Sequence, residues 1–226
     1  MSSASPGSPR PKPEQGPKQD PKRRLLEAVV GVALADGIAD KSLRAIAEGA
    51  GTSHRMLIHH FGSREGLLVA VIREVEAQQR AILTALGDES GQVSEDETDQ
   101  FWRHLRSPEL APQERLFFEV YGQALQGRAW ATPMLEGVVD DWVAPVAAMG
   151  EALGADPATA RIVARLYVAV GRGLLLDVLA TGEEHEVDAA RKFFTAMLTA
   201  HLAAAGIGAS PPAPTDGADG EGRPPH

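Results

Sequence analysis

The 226 residues include no cysteine. That absence excludes disulfides, thiolate nucleophiles and sulfur-ligated zinc or iron–sulfur sites together, so any metal would have to be held by histidine and carboxylates. Long apolar runs are missing as well. No stretch of about 18 uninterrupted apolar residues is present, and the first residues are Ser, Pro, Gly and Lys where a secretory signal needs an apolar segment. The expectation is a cytoplasmic chain without membrane contact. A phosphate-binding glycine loop, a nucleophile elbow and a histidine–glutamate zinc motif are also absent, so neither an enzyme nor a bound cofactor is expected. His54, His59 and His60 do not suggest a metal, because neighbouring side chains on a helix diverge by about 100° and none of the three has a histidine or carboxylate at i+4.

Positive charge is scarce: the net charge is −9. Its distribution matters more than its sum. Residues 22–70 hold seven basic against five acidic side chains, a net +2, and residues 1–21 add +1, so the acidity lies in the remainder of the chain. Beyond roughly 8–10 Å an acidic body is largely screened at physiological salt, so a basic amino-terminal surface can still meet phosphates.

What is present is ordinary globular composition, 43% hydrophobic and 23% charged. Residues 1–21 contain six prolines and little that can be buried, and read as a disordered basic arm, either brushing DNA or serving only solubility. Residues 208–226 read as a disordered tail. Between them the apolar spacing is helical throughout, which predicts an all-α fold. Helices are expected over about Lys22–Asp36, from a cap at Ser42, from Thr52 or Ser53 to Phe61, and from Ser63 to about Leu86. A mobile acidic connection over Gly87–Thr98 should follow, then helices at Asp99–Arg106, Pro112–Arg128, Thr132–Leu153, Asp156–Ala180 and Glu186–Ala205. Pro145 should kink or divide the third of these.

A support helix, a shorter helix, a glycine turn at Gly51 and a second short helix have the order and size of a helix-turn-helix. With Leu57 and Phe61 buried at i, i+4, the free faces of the last helix carry His54, Arg55, Met56 and His59, which suit base edges. Arg55 is the foremost candidate, since its planar fork can contact guanine O6 and N7 together. Ser42, Thr52, Ser53, His60 and Arg64 suit phosphates.

The stretch Leu26 to Leu68 resembles the DNA-binding domain of the tetracycline-repressor (TetR) family. The resemblance rests on Leu26 and Ala28, Gly37, Ser42, Ile46-Ala47, Ala50-Gly51, Ser53, Leu57, His60-Phe61 and the run Arg64-Glu65 to Leu67-Leu68. It implies a head over 22–70, a helical effector-binding and dimerisation body over 71–207, and a homodimer formed by the last two helices. It further implies a repressor that binds a near-palindromic operator and answers to a small molecule. By the same match Ser42, His60 and Arg64 occupy phosphate positions. Ile58 stands where the family usually has a phosphate-touching tyrosine, and Arg64 where lysine is commoner; the lost contact should lower the salt slope of binding by about one.

In the body, Phe117, Phe118, Tyr121, Trp130, Met134, Trp142 and Met149 could line an apolar pocket, with Arg172 as an orienting group; plain core is the competing reading. The helix over Asp156–Ala180 is apolar on more than one face. Leu166, Val170 and Leu174, with Phe194, Met197 and His201 of the last helix, are therefore expected at a twofold contact. The alternative to a regulator is a helical small-molecule-binding or protein-interaction module with weakened DNA binding.

Overall fold

The computed structural model describes residues 20–86 and 93–207, so residues 1–19 of the expected arm, the tail over 208–226 and residues 87–92 of the acidic connection lie outside the described residues. The elements are α1 (Pro21–Asp36), α2 (Leu43–Gly49), α3 (His54–Phe61), α4 (Arg64–Thr84), α5 (Glu95–Leu105), α6 (Ala111–Leu125), a 3₁₀ turn (Thr132–Leu135), α7 (Asp140–Ala152), α8 (Pro157–Thr181) and α9 (Glu184–Ala204). The described residues contain no strand, and the fold is all-α. No helix among them is long and apolar enough to cross a membrane.

Side-chain caps set most of the helix starts. Ser42, Ser53 and Ser63 each accept a hydrogen bond from the amide three residues on, satisfying first-turn donors of α2, α3 and α4. Asp20 accepts from the Lys22 amide and Pro21 opens α1, so the helix begins inside the segment expected to be a disordered arm. Likewise α5 starts at Glu95 rather than Asp99, because Ser94 and Glu97 form a reciprocal capping box upstream of the first apolar residue.

The helix expected over Thr132–Leu153 is two elements, and the break is not at Pro145. It falls at Gly137, whose φ of 73° lies in the left-handed region that favours glycine. Pro145 lies within α7, where its missing N–H forgoes the bond to the Asp141 carbonyl without ending the helix.

The largest core cluster runs from Val29, Ala33, Ile46 and Leu57 of the first three helices through Leu67, Val71 and Val75 of α4 to Leu116, Phe117 and Val120 of α6. Head and body therefore share a core, and α4 passes without interruption through residue 70. The Gln113 side-chain amide of α6 also donates to the Ala33 carbonyl of α1. On the far side, polar groups bind α5 to α9: Arg106 pairs with Glu184 at 2.6 Å and with Asp188 at 2.9 Å, Trp102 Nε1 donates to Asp188 at 2.7 Å, and Arg191 pairs with Asp99.

Candidate functional site

Two places concentrate functional chemistry, an outer face of α3 and a cavity in the body. In α3, Leu57 is fully buried and Phe61 half-buried against α1, with the Lys22 ammonium 5.8 Å from the Phe61 ring centre. A helix anchored on that side must turn its other side outward. His54, Arg55, Met56 and His59 are all exposed on it, and Ile58 is exposed beside them.

The residues flanking α3 are held by local bonds. Ser42 and Ser53 are exposed, and each hydroxyl accepts a backbone amide while keeping its own proton free to donate. His60 is half-buried, with its ring centre 4.9 Å from that of His59. The backbone amide of Thr52 donates to the Ala47 carbonyl, which closes the turn between α2 and α3. Arg64 turns partly inward: Nε donates to the Lys41 carbonyl at 3.1 Å and Nη2 to that of Ala39, so part of its guanidinium braces the α1–α2 turn. At the next junction a Cβ on Gly66 would lie 2.3 Å from the Phe61 carbonyl oxygen, so the angle between α3 and α4 depends on glycine there.

The second place is a partly open cavity of about 110 Å³ lined by residues of α4 to α9. Its walls include Phe101, Trp102, Phe117, Phe118, Trp142, Tyr167 and Phe194, with Glu76, Glu114, Arg172 and Arg191 among the polar groups. Glu76 accepts a hydrogen bond from Trp142 Nε1 at 2.7 Å and lies 3.5 Å from Arg172. Arg172 also donates to the Val138 carbonyl and lies over the Phe117 ring, 5.2 Å from its centre. Burial pushes the Glu76 carboxyl up and holds the Arg172 guanidinium below its ordinary value, and their mutual attraction opposes both shifts. Burial, reinforced by the neighbouring Glu76 charge, pushes Glu114 up to about 8.

Of the pocket residues expected from sequence, Phe117, Phe118, Trp142 and Arg172 line this cavity. Tyr121, Trp130, Met134 and Met149 do not. Met134 is core, Tyr121 packs on Phe117 at 5.5 Å between ring centres, and Trp130 is exposed beyond the end of α6. Sequence reasoning missed Glu76 and Glu114. Glu114 was visible as an acid three and four residues before Phe117 and Phe118, on the inward stripe of its helix.

The residues expected at a twofold contact divide. Leu166 and Met197 are 46% and 54% exposed, and His201 is exposed too. Val170, Leu174 and Phe194, half-buried, also line the cavity, so these helices carry the cavity wall and the exposed apolar residues close together.

A sequence profile for the family described as bacterial regulatory proteins, tetR family, matches residues 25–71. No curated protein sequence matches the chain. Among solved structures, a transcriptional regulator from Rhodococcus sp. Rha1 is similar over 85% of this chain and 100% of its own, with 18% identity and a TM-score of 0.61. A TetR transcriptional regulator from Legionella pneumophila shares 19% identity over 79% of this chain and 97% of its own, with a TM-score of 0.56. The multidrug binding protein EbrR, solved in complex with proflavin, shares 26% identity over 77% of this chain and 97% of its own, with a TM-score of 0.51. With the matched profile lying on the anchored α3 head and the helical order shared with these structures, residues 25–71 are similar to the tetR family of bacterial regulatory proteins, and the chain has the fold of such transcriptional regulators.

Proposed function

We propose that the chain is a cytoplasmic, ligand-responsive repressor that binds a near-palindromic operator as a homodimer, with a DNA-binding head over residues 22–70 and an effector-binding and dimerisation body over 71–207. The observation that carries this reading is the one-sided burial of α3: Leu57 anchors it while His54, Arg55, Met56 and His59 stand free for base edges. Ser42, Thr52, Ser53 and His60 flank that face and are assigned to phosphates. Arg64 joins them through the part of its guanidinium not bound to the Ala39 and Lys41 carbonyls.

Dimerisation is supported by an outer apolar face that no other described residue covers. Ile162, Leu166 and Leu176 of α8 are exposed on it, as are Phe193 and Met197 of α9. An effector is supported by the aromatic-walled cavity and by the ligand-bound state of EbrR. The route between them is short. On α6, Gln113 holds the Ala33 carbonyl of the head while its neighbour Glu114 lines the cavity, so a ligand that shifts α6 would move α1.

Selection of genomic fragments by the purified protein, followed by salt titration of the recovered site, tests the reading. Recovery of a near-palindromic sequence is expected, with Arg55→Ala weakening binding by about 1–3 kcal/mol and relaxing one position of the site. Weak, sequence-blind retention would instead favour a helical binding module whose DNA affinity has lapsed, the reading that the exposed Ile58 would then explain.

A further inference from the structure

The cavity holds two carboxyls and does not treat them alike. Glu76 is hydrogen-bonded by Trp142 and paired with Arg172, whose guanidinium is further occupied by the Val138 carbonyl and the Phe117 ring. Glu114 is only 5% exposed, lines the same chamber, and its carboxyl makes no hydrogen bond or ion pair among the described residues. A buried acid left without a partner is costly, and a protein keeps one where something else supplies the partner.

The groups around Glu114 narrow what that partner is. Glu76 of α4 and Arg172 of α8 face it, with Tyr167 of α8 and Arg191 of α9 also on the chamber wall. Arg191 is paired with Asp99 of α5, and Arg80 of α4 with Asp141 of α7 at 3.6 Å, so neither supplies a free cation. When Glu114 ionises, the chamber is one positive charge short. Its remaining surface is largely aromatic, and ring faces attract cations.

We propose that the chamber takes a small organic cation with an apolar or aromatic body, its charged head against Glu114 and its body against the rings of Phe117, Phe118, Tyr167 and Phe194. The proposal rests on reading this chamber as the effector site and adds the chemical class of the effector. Because the Glu114 carboxyl sits up at about 8, it is mostly protonated at neutral pH, and a bound cation displaces that proton to solvent. Cation affinity then rises with pH.

A matched pair of probes isolates the charge: benzyltrimethylammonium, a permanent cation, and neopentylbenzene, its uncharged carbon isostere. Binding is read by the fluorescence of the wall residues Trp102 and Trp142 from pH 6 to pH 9, and proton release by calorimetry in buffers of different ionisation enthalpy. Affinity for the cation should rise about tenfold per pH unit below pH 8 and level off above it, with close to one proton released at pH 7, while neopentylbenzene stays flat. Glu114→Gln, near-isosteric and checked for folding by circular dichroism, should abolish both the pH dependence and the preference for the cation. Cation binding that ignores pH, or neopentylbenzene binding as tightly as the cation at pH 9, overturns the proposal even before the variant is made. Neopentylbenzene binding alone leaves the effector reading standing and removes only the cation; binding of neither probe removes both.

Discussion

Leu57 and Glu114 are opposite cases of burial. Leu57 is an apolar side chain with no exposed surface, and truncating it leaves a void beneath the short helix it anchors. Leu57→Ala should cost about 2–5 kcal/mol, read as a lowered midpoint in urea unfolding, and should weaken DNA binding even though the residue stays beneath the reading face. Glu114 carries the reverse burden. Its carboxyl lies near 4.5 in the unfolded chain and is pushed up to about 8 in the fold, so its contribution is fully present below pH 4.5 and is lost as pH rises toward 8. Glu114→Gln should therefore melt above the parent at pH 9, by an amount on the order of a few kcal/mol, with the gap closing toward pH 5 in parallel thermal scans.

At the scale of elements, α5 depends on others more than its sequence suggests. Few of its residues are apolar, and its capping box closes only the amino-terminal end. It is held to the body by Trp102, Arg106 and Asp99 reaching Asp188, Glu184 and Arg191 of α9. Asp188 serves two of those links. Asp188→Ala would leave the mostly buried Arg106 with Glu184 alone and the Trp102 N–H without its acceptor, at a cost of about 2 kcal/mol. Hydrogen exchange should show the loss in α5 and α9 while α1 to α3 keep their protection. The break between the 3₁₀ turn and α7 was hidden for a related reason. Pro145 is the stronger breaker by composition, yet the left-handed turn at Gly137 is a backbone conformation that glycine permits without requiring, so composition did not mark it.

Across the whole molecule, the outer apolar face of α8 and α9 and the cavity behind it compete for the same two helices. A helix with two apolar sides can serve both, the outer for the proposed second copy and the inner for the chamber. Leu166→Glu combined with Met197→Glu puts charge on exposed positions, so folding should survive. Light scattering of the double variant should give the monomer mass, and operator binding should fall steeply, because one head alone contacts only a half-site. A double variant that remains dimeric would move the interface elsewhere.

Sequence alone determined the all-α class, the cap-defined starts of α2, α3 and α4, and which side of α3 is buried. Those follow from local periodicity and from side chains acting on amides three residues away, interactions contained within one or two turns of helix. It also located the aromatic-rich body, but could not sort Phe117, Phe118 and Trp142, which face the cavity, from Met134 and Tyr121, which do not. Nor could it separate Leu166 and Met197 from Val170 and Phe194 on helices that are apolar on more than one face. Tertiary packing decided those, because the inward direction of such a helix is set by its neighbours. It also decided that Arg172 would pair with Glu76, 96 positions away along the chain, and leave the Glu114 carboxyl beside them without an ion pair of its own.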